Sequence, residues 1–277
     1  MPSKVFSFCN QKGGVGKTTT TINIATVLAQ KGVKVLVIDM DSQANTTSGF
    51  GEEKPGIEFT SYQLFVENSD ISRIIRQTAI KGLDLIPANF ELAGAEIELV
   101  QRARREYVLS THLEQISGGY DFIFMDCPPS LGLITVNCLT ASDYIIIPLQ
   151  CEYYALEGLG QLLNTFQLIK TNLKSGLEVG GVLMTMADLR TNLTQQVIDE
   201  VKQFFKDKVF QSIIPRSVKL SEAPSFGQPA VVYDAQNRGS KAYFLAAVEF
   251  KKRFYKKEIS EPKSENKSAD IQHEVSL

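Results

Sequence analysis

Glycines, lysines and threonines are concentrated in one short segment near the N-terminus, between an apolar run and a helical pattern. Residues 10–19 read NQKGGVGKTT, with the apolar run at 4–9 and the helical pattern at 17–31. Glycines let backbone N–H groups turn inward and the following helix start adds positive dipole, so the segment predicts a phosphate-binding loop. Lys17 would reach the terminal phosphates of a nucleotide, and Thr18 would ligate Mg²⁺. The predicted nucleotide contacts in this phosphate loop are Gly13, Gly14, Val15, Gly16, Lys17, Thr18 and Thr19.

The phosphate loop departs from the most common pattern of this kind. The pattern G-x-x-x-x-G-K-T requires glycine at position 11, where this chain has Gln11, and a second lysine follows at Lys12. Lysines in loops are usually exposed, so Lys12 either is a solvated charge or has a role that the common pattern does not need.

Three aspartates follow two other apolar runs. Asp39 and Asp41 come at the end of the run 33–39, and Asp126 ends the run 121–126. Parallel α/β sheets collect ligands at the carboxyl ends of their strands, and Mg²⁺ is bound through carboxylates and water. Asp41 and Asp126 are therefore candidates for nucleotide chemistry, whereas Asp39 could equally cap a turn or a helix.

Short apolar runs alternate with longer helical patterns, which predicts an α/β fold with one mostly parallel, twisted sheet and helices on both faces. The runs are rich in Val, Ile and Phe without polar alternation, as in strands that are covered on both sides. We expect seven or eight strands. The predicted strands are 4–9, 33–39, 83–86, 121–126, 143–149, 180–185 and a run near 209–214. The predicted helices are 17–31, 92–105, 131–140, 156–173, 193–206 and 240–257.

The composition favours one cytoplasmic domain. The chain has 277 residues, 43% of them hydrophobic and 22% charged, which is enough to bury a sizeable core. Its four cysteines form no C-x-x-C pair, so neither a disulfide framework nor a zinc site is indicated. The polar N-terminus leaves no room for a signal peptide, and no run has the apolar length of a membrane span. We expect an ATPase domain over residues 1–257 and a disordered polar tail over 258–277.

Four segments resemble the ParA/Soj partitioning ATPases, and the resemblance extends over most of the chain. They are residues 10–21, DCPPS at 126–130, PLQCEYYALEG at 148–158 and IPRSVKLSEAPSFG at 214–227. The form KGGVGKTT resembles the deviant Walker A motif of the ParA/MinD superfamily, which implies a P-loop NTPase of that type. By this resemblance Lys12 crosses a dimer interface to the partner's phosphates, where it stabilises charge as an arginine finger does.

The resemblance also implies roles for the aspartates and a position for the base. Asp126 resembles the Walker B aspartate, which holds Mg²⁺ through a water. Residues 39–45, DMDSQAN, resemble switch I, usually written D-x-D-P-Q, with Ser42 in place of the proline. The second aspartate of that motif, here Asp41, orients the attacking water, and Asp39 is a further expected metal contact. Pro215 lies in the Ile-Pro-Arg segment that borders the adenine of ATP in this family.

Basic residues in the C-terminal third bind DNA without sequence preference in this family. The formal net charge here is −2, so such binding must come from a local basic patch. Arg216 and Lys219 match the motif positions best, Arg190 follows the predicted strand 180–185, and Lys241 lies near the start of the last predicted helix. Loops and helix starts suit side chains that contact phosphates, although each residue could also be an ordinary surface charge.

The resemblance finally implies a biological role. It implies slow, Mg²⁺-dependent ATP hydrolysis by an ATP-dependent homodimer that is cytoplasmic, associated with the nucleoid and not with a membrane. A ParB/Spo0J-type partner would accelerate hydrolysis and release the dimer from non-specific double-stranded DNA. The expected function is chromosome or plasmid segregation.

Three other functions share the predicted fold. A MinD-like membrane-associated ATPase would end in an amphipathic anchor, whereas the basic, aromatic run FKKRFYKK at 250–257 stops in a polar tail. An iron-protein type of reductase would hold a cluster between subunits through two cysteines each, and spacing alone does not exclude Cys127 and Cys151. A metabolic enzyme that carboxylates or phosphorylates a small molecule would need a substrate pocket that the sequence does not reveal.

Overall fold

One sheet forms the centre of the chain in the computed structural model, which describes residues 2–52, 56–66, 70–152 and 155–255. Its seven strands are β1 (Lys4–Phe8), β2 (Val35–Asp39), β3 (Arg76–Gln77), β4 (Leu83–Ile86), β5 (Phe122–Asp126), β6 (Tyr144–Gln150) and β7 (Glu178–Thr185). The strand order is β3-β4-β2-β5-β1-β6-β7, and every neighbouring pair is parallel except β3 with β4. The predicted α/β fold with a mostly parallel sheet is confirmed.

Helices cover both faces of this sheet, as predicted. The α-helices are α1 (Lys17–Gln30), α2 (Asn45–Gly49), α3 (Gln63–Val66), α4 (Leu92–Val100), α5 (Val108–Glu114), α6 (Leu133–Ala141), α7 (Ala155–Asn172), α8 (Asn192–Phe205), α9 (Val218–Glu222), α10 (Ala230–Tyr233) and α11 (Arg238–Phe254). Short 3-10 helices lie at Ile71–Arg73, Arg105–Tyr107, Lys206–Lys208 and Ala223–Phe226. Helix α1 ends where predicted, because Gly32 adopts a left-handed φ of +79° after its last turn.

Two predicted elements were wrong. The run 209–214 forms no strand. It has one isolated bridge to the sheet edge, Val182 with Val209, and a second bridge, Ala187 with Pro215, follows directly after it. The backbone N–H groups of Gln211 and Ser212 in this run donate to the Glu249 carboxylate, at 3.0 and 3.2 Å, and not to a strand.

The predicted helix over 92–105 was the second error, because α4 ends at Val100. Arg104 has a left-handed φ of 54°, which a helix cannot contain, and the chain continues as the separate helix α5.

Aromatic side chains fill the core between the sheet and α11. Phe6 of β1 and Phe122 of β5 pack against Phe250 of α11, with ring centroids 4.8 and 5.6 Å away, and Phe254 lies 4.9 Å from Phe6. Aromatic pairs at these distances stabilise a core beyond the area that they bury. Phe250 and Phe254 belong to the basic, aromatic run at 250–257. A membrane anchor would have to expose them, but here they are part of the core.

The parallel register brings the ends of three strands together. Phe8 of β1 and Asp39 of β2 are both register partners of Asp126 on β5. The phosphate loop after β1 and the switch I segment after β2 therefore leave the sheet at the same edge, on either side of Asp126. This edge is where ligands of open α/β sheets bind.

Two further sequence predictions concern the membrane and the tail. Within the described ranges, no helix is long and apolar enough to cross a membrane. The predicted tail over 258–277 lies outside the described residues, so the boundary at residue 257 stays a prediction.

Candidate functional site

The phosphate loop has the backbone that its glycines predict. Gly14 and Gly16 have left-handed φ values of +72° and +90°, and a Cβ added at Gly13 or Gly14 would meet no atom within 4 Å. Behind the loop, the Val15 carbonyl accepts a hydrogen bond of 2.8 Å from Thr185 Oγ1 at the end of β7. The loop is thus open in front and held from behind, as a phosphate cradle requires.

Lys17 is a nearly buried ammonium group at the first position of α1. Its residue is 7% exposed, and its Nζ donates to the Lys12 carbonyl at 3.3 Å. No carboxylate of the described residues pairs with it. A buried charge needs a partner of opposite sign, so Lys17 fits an anion in the loop.

One carboxyl oxygen of Asp126 accepts two hydrogen bonds from hydroxyl groups, and the other oxygen accepts none from the described residues. Thr18 Oγ1 and Thr46 Oγ1 donate to its Oδ2 at 2.6 and 2.8 Å. Its Oδ1 is buried and has no hydrogen-bond partner among the described residues. Burial, and secondarily the charge of Asp39, raises the pKa of Asp126 to about 8. An unpartnered carboxyl oxygen beside a threonine hydroxyl suits Mg²⁺, and the metal contacts of Thr18 and Asp126 stay predictions.

Asp39 is completely buried and uses both of its oxygens within the protein. Its Oδ2 accepts from the backbone N–H and the hydroxyl of Thr47, at 2.8 and 2.7 Å, and its Oδ1 accepts from the Asp41 N–H at 3.2 Å. Burial raises its pKa to about 6. These contacts give Asp39 a positioning role for α2 and for Asp41, and its contact with a metal stays a prediction.

Asp41 lies in the turn between β2 and α2, where it is half-buried. Its Oδ1 accepts from the Gln43 N–H at 3.0 Å. It follows β2 at the same end of the sheet at which the phosphate loop follows β1, and it is not one of the buried carboxylates. This position is compatible with a group that acts on solvent water, but the catalytic role of Asp41 stays a prediction.

Lys12 contacts a carboxylate of its own chain. Its Nζ lies 2.7 Å from Glu152 Oε2, and both side chains are about 40% exposed, at 41% and 43%. Glu152 Oε1 also lies 3.8 Å from Arg216 Nη2 and accepts from the side-chain amide of Gln150. Glu152 was not among the predicted site residues. Only its place in the family-like segment 148–158 could have suggested it.

A cavity of about 350 Å³ opens beside the phosphate loop. Gly16 and Thr19 line one side, and Pro215 and Arg216 line another. The cavity is next to the loop that would hold the phosphates, so the predicted contact of Pro215 with the base is compatible with its position.

Of the predicted DNA-binding residues, Arg190 and Arg216 lie in loops, whereas Lys219 lies in α9 and Lys241 in α11. Three of the four contact acidic side chains. Arg190 pairs with Asp188 at 2.6 Å and Lys219 pairs with Glu222 at 2.8 Å. The Arg190 side chain lowers the pKa of Asp188 to about 2. The loops meet because the Arg216 N–H donates to the Ala187 carbonyl at 3.3 Å.

Arg238 is a basic residue of this patch that the sequence prediction missed. It is exposed at the start of α11, and its Nη2 donates to the Arg216 carbonyl at 2.7 Å. Lys241, which was predicted, is exposed one turn later on the same helix. A basic residue at the start of a helix was a usable signal, since the same argument had selected Lys241.

The cysteines do not form the site of an iron-protein reductase. Cys127 is 1% exposed and Cys151 is 6% exposed, so neither thiol reaches the surface where a cluster would join two subunits. Burial raises the pKa of Cys151 to about 11. The described residues contain no group of three or more His, Cys, Asp or Glu side chains placed to hold a metal ion.

Replacing Lys17 with Ala should weaken ATP binding by a factor of about 30 or more, because a buried charge pair costs ~2–5 kcal/mol to break from one side. Equilibrium titration with a fluorescent ATP analogue measures the affinity. Lys31→Ala, an exposed lysine just beyond the other end of α1, is the control. If the ATP affinity of the Lys17 variant lies within twofold of the parent chain, Lys17 does not contact the nucleotide.

Comparison with known proteins points in the same direction as this geometry. The AAA domain family matches residues 3–179. The chain is 53% identical over 246 residues to the sporulation initiation inhibitor protein Soj of Bacillus subtilis, covering 89% of this chain and 97% of that one. It is 48% identical over 240 residues to the chromosome-partitioning ATPase Soj of Treponema pallidum, covering 87% and 94%.

A solved structure extends the likeness to the fold. Cobyrinic acid a,c-diamide synthase from Mycobacterium smegmatis, with bound ADP and magnesium, has a TM-score of 0.78 and 34% identity, covering 89% of this chain and 93% of that chain. The higher identity to the two Soj proteins, over nearly their whole length, decides the family. The chain belongs to the Soj/ParA family of chromosome partitioning ATPases.

Proposed function

We propose that this chain is an ATP-dependent dimerising switch that binds DNA without sequence preference and segregates chromosomes or plasmids with a ParB/Spo0J-type partner. The observation that carries the proposal is a phosphate loop with a second lysine, Lys12, beside the Thr18 and Asp126 pair. In this proposal the protein is cytoplasmic and associates with the nucleoid through DNA.

ATP would lie in the phosphate loop with its base in the cavity at Pro215. Lys17 would neutralise the terminal phosphates, while Thr18 and Asp126 would hold Mg²⁺, the latter through a water. Bound Mg²⁺ supplies positive charge at the phosphates. The unpartnered Asp126 Oδ1 and the buried Lys17 support this assignment, because each is a buried polar group that a ligand could satisfy.

Lys12 would leave Glu152 and reach the phosphates bound to a second subunit. Exposed ion pairs contribute only ~0–1 kcal/mol, so the contact with Glu152 costs little to exchange for a phosphate. A dimer closed in this way depends on a ligand that contacts both subunits, and hydrolysis removes the group that distinguishes the two states.

A basic patch would then bind DNA from both subunits at once. Arg190, Arg216, Lys219 and Lys241 are its predicted members, and Arg238 lies among them. Joining two such patches in one dimer increases affinity through effective concentration. A ParB/Spo0J-type partner would stimulate hydrolysis and so release the dimer from DNA.

The two alternatives that share the nucleotide site have less support. A MinD-like role would need a free amphipathic terminus, but Phe250 and Phe254 of the basic run are buried in the core. The structural similarity to the M. smegmatis synthase favours a metabolic role. However, the sequence identity of that protein to this chain is lower than that of Soj.

Replacing Lys12 with Gln should leave ATP binding by the monomer intact and prevent ATP-dependent dimerisation, because the lysine acts on the partner's phosphates. Light scattering with and without ATP measures the mass, and a nucleotide titration confirms that the monomer still binds. A variant that dimerises and hydrolyses ATP as the parent does would place Lys12 in solvent.

Replacing Asp41 with Ala should stop hydrolysis but not dimer closure, because the residue orients water and does not hold the nucleotide. A long-lived ATP dimer should accumulate in size-exclusion chromatography, while phosphate release falls to the uncatalysed level. If the variant stays monomeric with ATP, Asp41 binds nucleotide and another group orients the water.

Changing Arg216 and Lys219 together to Glu should lower ATP-dependent DNA affinity and flatten its salt dependence. Each neutralised phosphate contributes about −0.9 to the slope of log affinity against log salt, so four contacts in the dimer correspond to about four units. Binding to random-sequence duplex is measured across a salt series, with light scattering to confirm dimerisation. An unchanged slope in a variant that still dimerises would show that these two residues do not contact DNA. A parent chain that binds no DNA with ATP would refute the DNA proposal.

A further inference from the structure

Two glycines far apart in sequence touch through their backbones. Gly51 follows α2, and Gly227 follows the 3-10 helix Ala223–Phe226. A Cβ added at Gly227 would lie 2.7 Å from Gly51 Cα, and one added at Gly51 would lie 3.0 Å from the Gly227 carbonyl oxygen. Contacts this short involve backbone atoms that no side-chain rotation can relieve. Both positions also have left-handed φ values, +82° and +61°.

Helix α2, on the Gly51 side, is bonded directly to the carboxylates of the nucleotide site. Thr46 Oγ1 donates to Asp126 at 2.8 Å, and the Thr47 hydroxyl donates to Asp39 at 2.7 Å. Both threonines are completely buried. The turn after the helix is short and closed, since the Gly51 N–H donates to the Ser48 carbonyl at 2.9 Å. These carboxylates are therefore connected to Gly51 through one turn of helix.

The segment 214–227, on the Gly227 side, carries the residues expected to contact the base and DNA. Pro215 lines the cavity beside the phosphate loop, and Arg216 and Lys219 belong to the basic patch. Gly227 closes the segment, and its N–H donates to the Pro224 carbonyl at 3.1 Å. A shift of Gly227 therefore acts on the end of the segment that presents these side chains.

We propose that the Gly51–Gly227 contact transmits the state of the nucleotide site to the basic patch, a regulation that rests on the proposed ATP and DNA binding. Thr18 and Thr46 donate to Asp126 Oδ2 while Oδ1 has no partner among the described residues, so a cation that binds Thr18 and draws this carboxylate toward itself weakens the bond from Thr46. Loss of that bond releases the start of α2. Backbone atoms in such close contact cannot move independently. A shift at the end of α2 therefore displaces Gly227 and repositions Arg216 and Lys219.

The test uses a tryptophan reporter, because the chain contains no tryptophan. Phe226 is 61% exposed and stacks on Tyr233 with ring centroids 4.8 Å apart, so Phe226→Trp places a probe next to Gly227. The reporter is combined with Lys12→Gln, so that dimer closure cannot cause the signal. ATP with Mg²⁺ should change the tryptophan emission relative to ATP with EDTA in place of Mg²⁺, because the cation is the proposed trigger. Equal emission in the two conditions, with ATP shown by titration to be bound in both, would overturn the proposal.

Gly51→Ala added to the reporter chain should abolish the Mg²⁺-dependent change while nucleotide affinity is retained. Gly32→Ala is the matched control, because its φ is +79° but a Cβ there would meet no atom within 4 Å. The control should keep the change. Persistence of the change in Gly51→Ala would overturn the proposal, and so would its loss in Gly32→Ala, since strain alone would then explain it.

Gly227→Ala repeats the test from the other side of the contact, with thermal unfolding to confirm that each variant folds. If this variant does not fold, Gly51→Ala decides alone, because its closest approach is less severe. DNA binding with ATP is measured separately and should be lost in Gly51→Ala. A parent chain that binds ATP but no DNA would refute the DNA proposal, while the tryptophan emission still decides the coupling.

Discussion

Two carboxylates buried side by side are the constraint on which the rest of the site depends. Asp39 and Asp126 are register partners on neighbouring strands, and burial raises their pKa values to about 6 and about 8. A carboxyl group whose pKa in the fold exceeds its ordinary 3.8 binds protons better in the folded chain. Its stabilisation is therefore lost as pH rises from about 4 through those values. Hydroxyl donors offset part of this cost, and a divalent cation would offset more.

The hydroxyl donors that face these carboxylates also organise the surrounding segments. Thr18 comes from the phosphate loop, whereas Thr46 and Thr47 come from α2. Thr47 Oγ1 in turn accepts from the Ala88 N–H at 2.9 Å, which attaches the chain after β4. One pair of acidic side chains thereby fixes three segments at a single sheet edge. A ligand that changes the charge at this edge must change all three.

The sequence could predict the parts of this arrangement that depend on local pattern. The phosphate loop follows from glycine spacing, and Asp126 follows from the end of an apolar run, so both were placed correctly. Thr46 and Glu152 were not predicted, because their roles depend on partners 80 and 140 residues away. The run 209–214 looked like a strand, but the N–H groups of Gln211 and Ser212 in its middle bond to Glu249 on a distant helix. Local pattern carries no information about such partners.

Glu152 is a shared partner of two basic side chains and holds neither of them strongly. It contacts Lys12 of the phosphate loop and lies near Arg216 of the basic patch. Both contacts are exposed, so each contributes little stability, and a phosphate group offers more acceptor oxygens to the same cations. The Glu152 carboxylate therefore orders the Lys12 and Arg216 side chains and still allows either of them to bind a phosphate group instead. The lysine proposed to sense the partner's nucleotide and the arginine proposed to contact DNA thus share one weak counter-ion, and a ligand that takes one of them changes the charge beside the other.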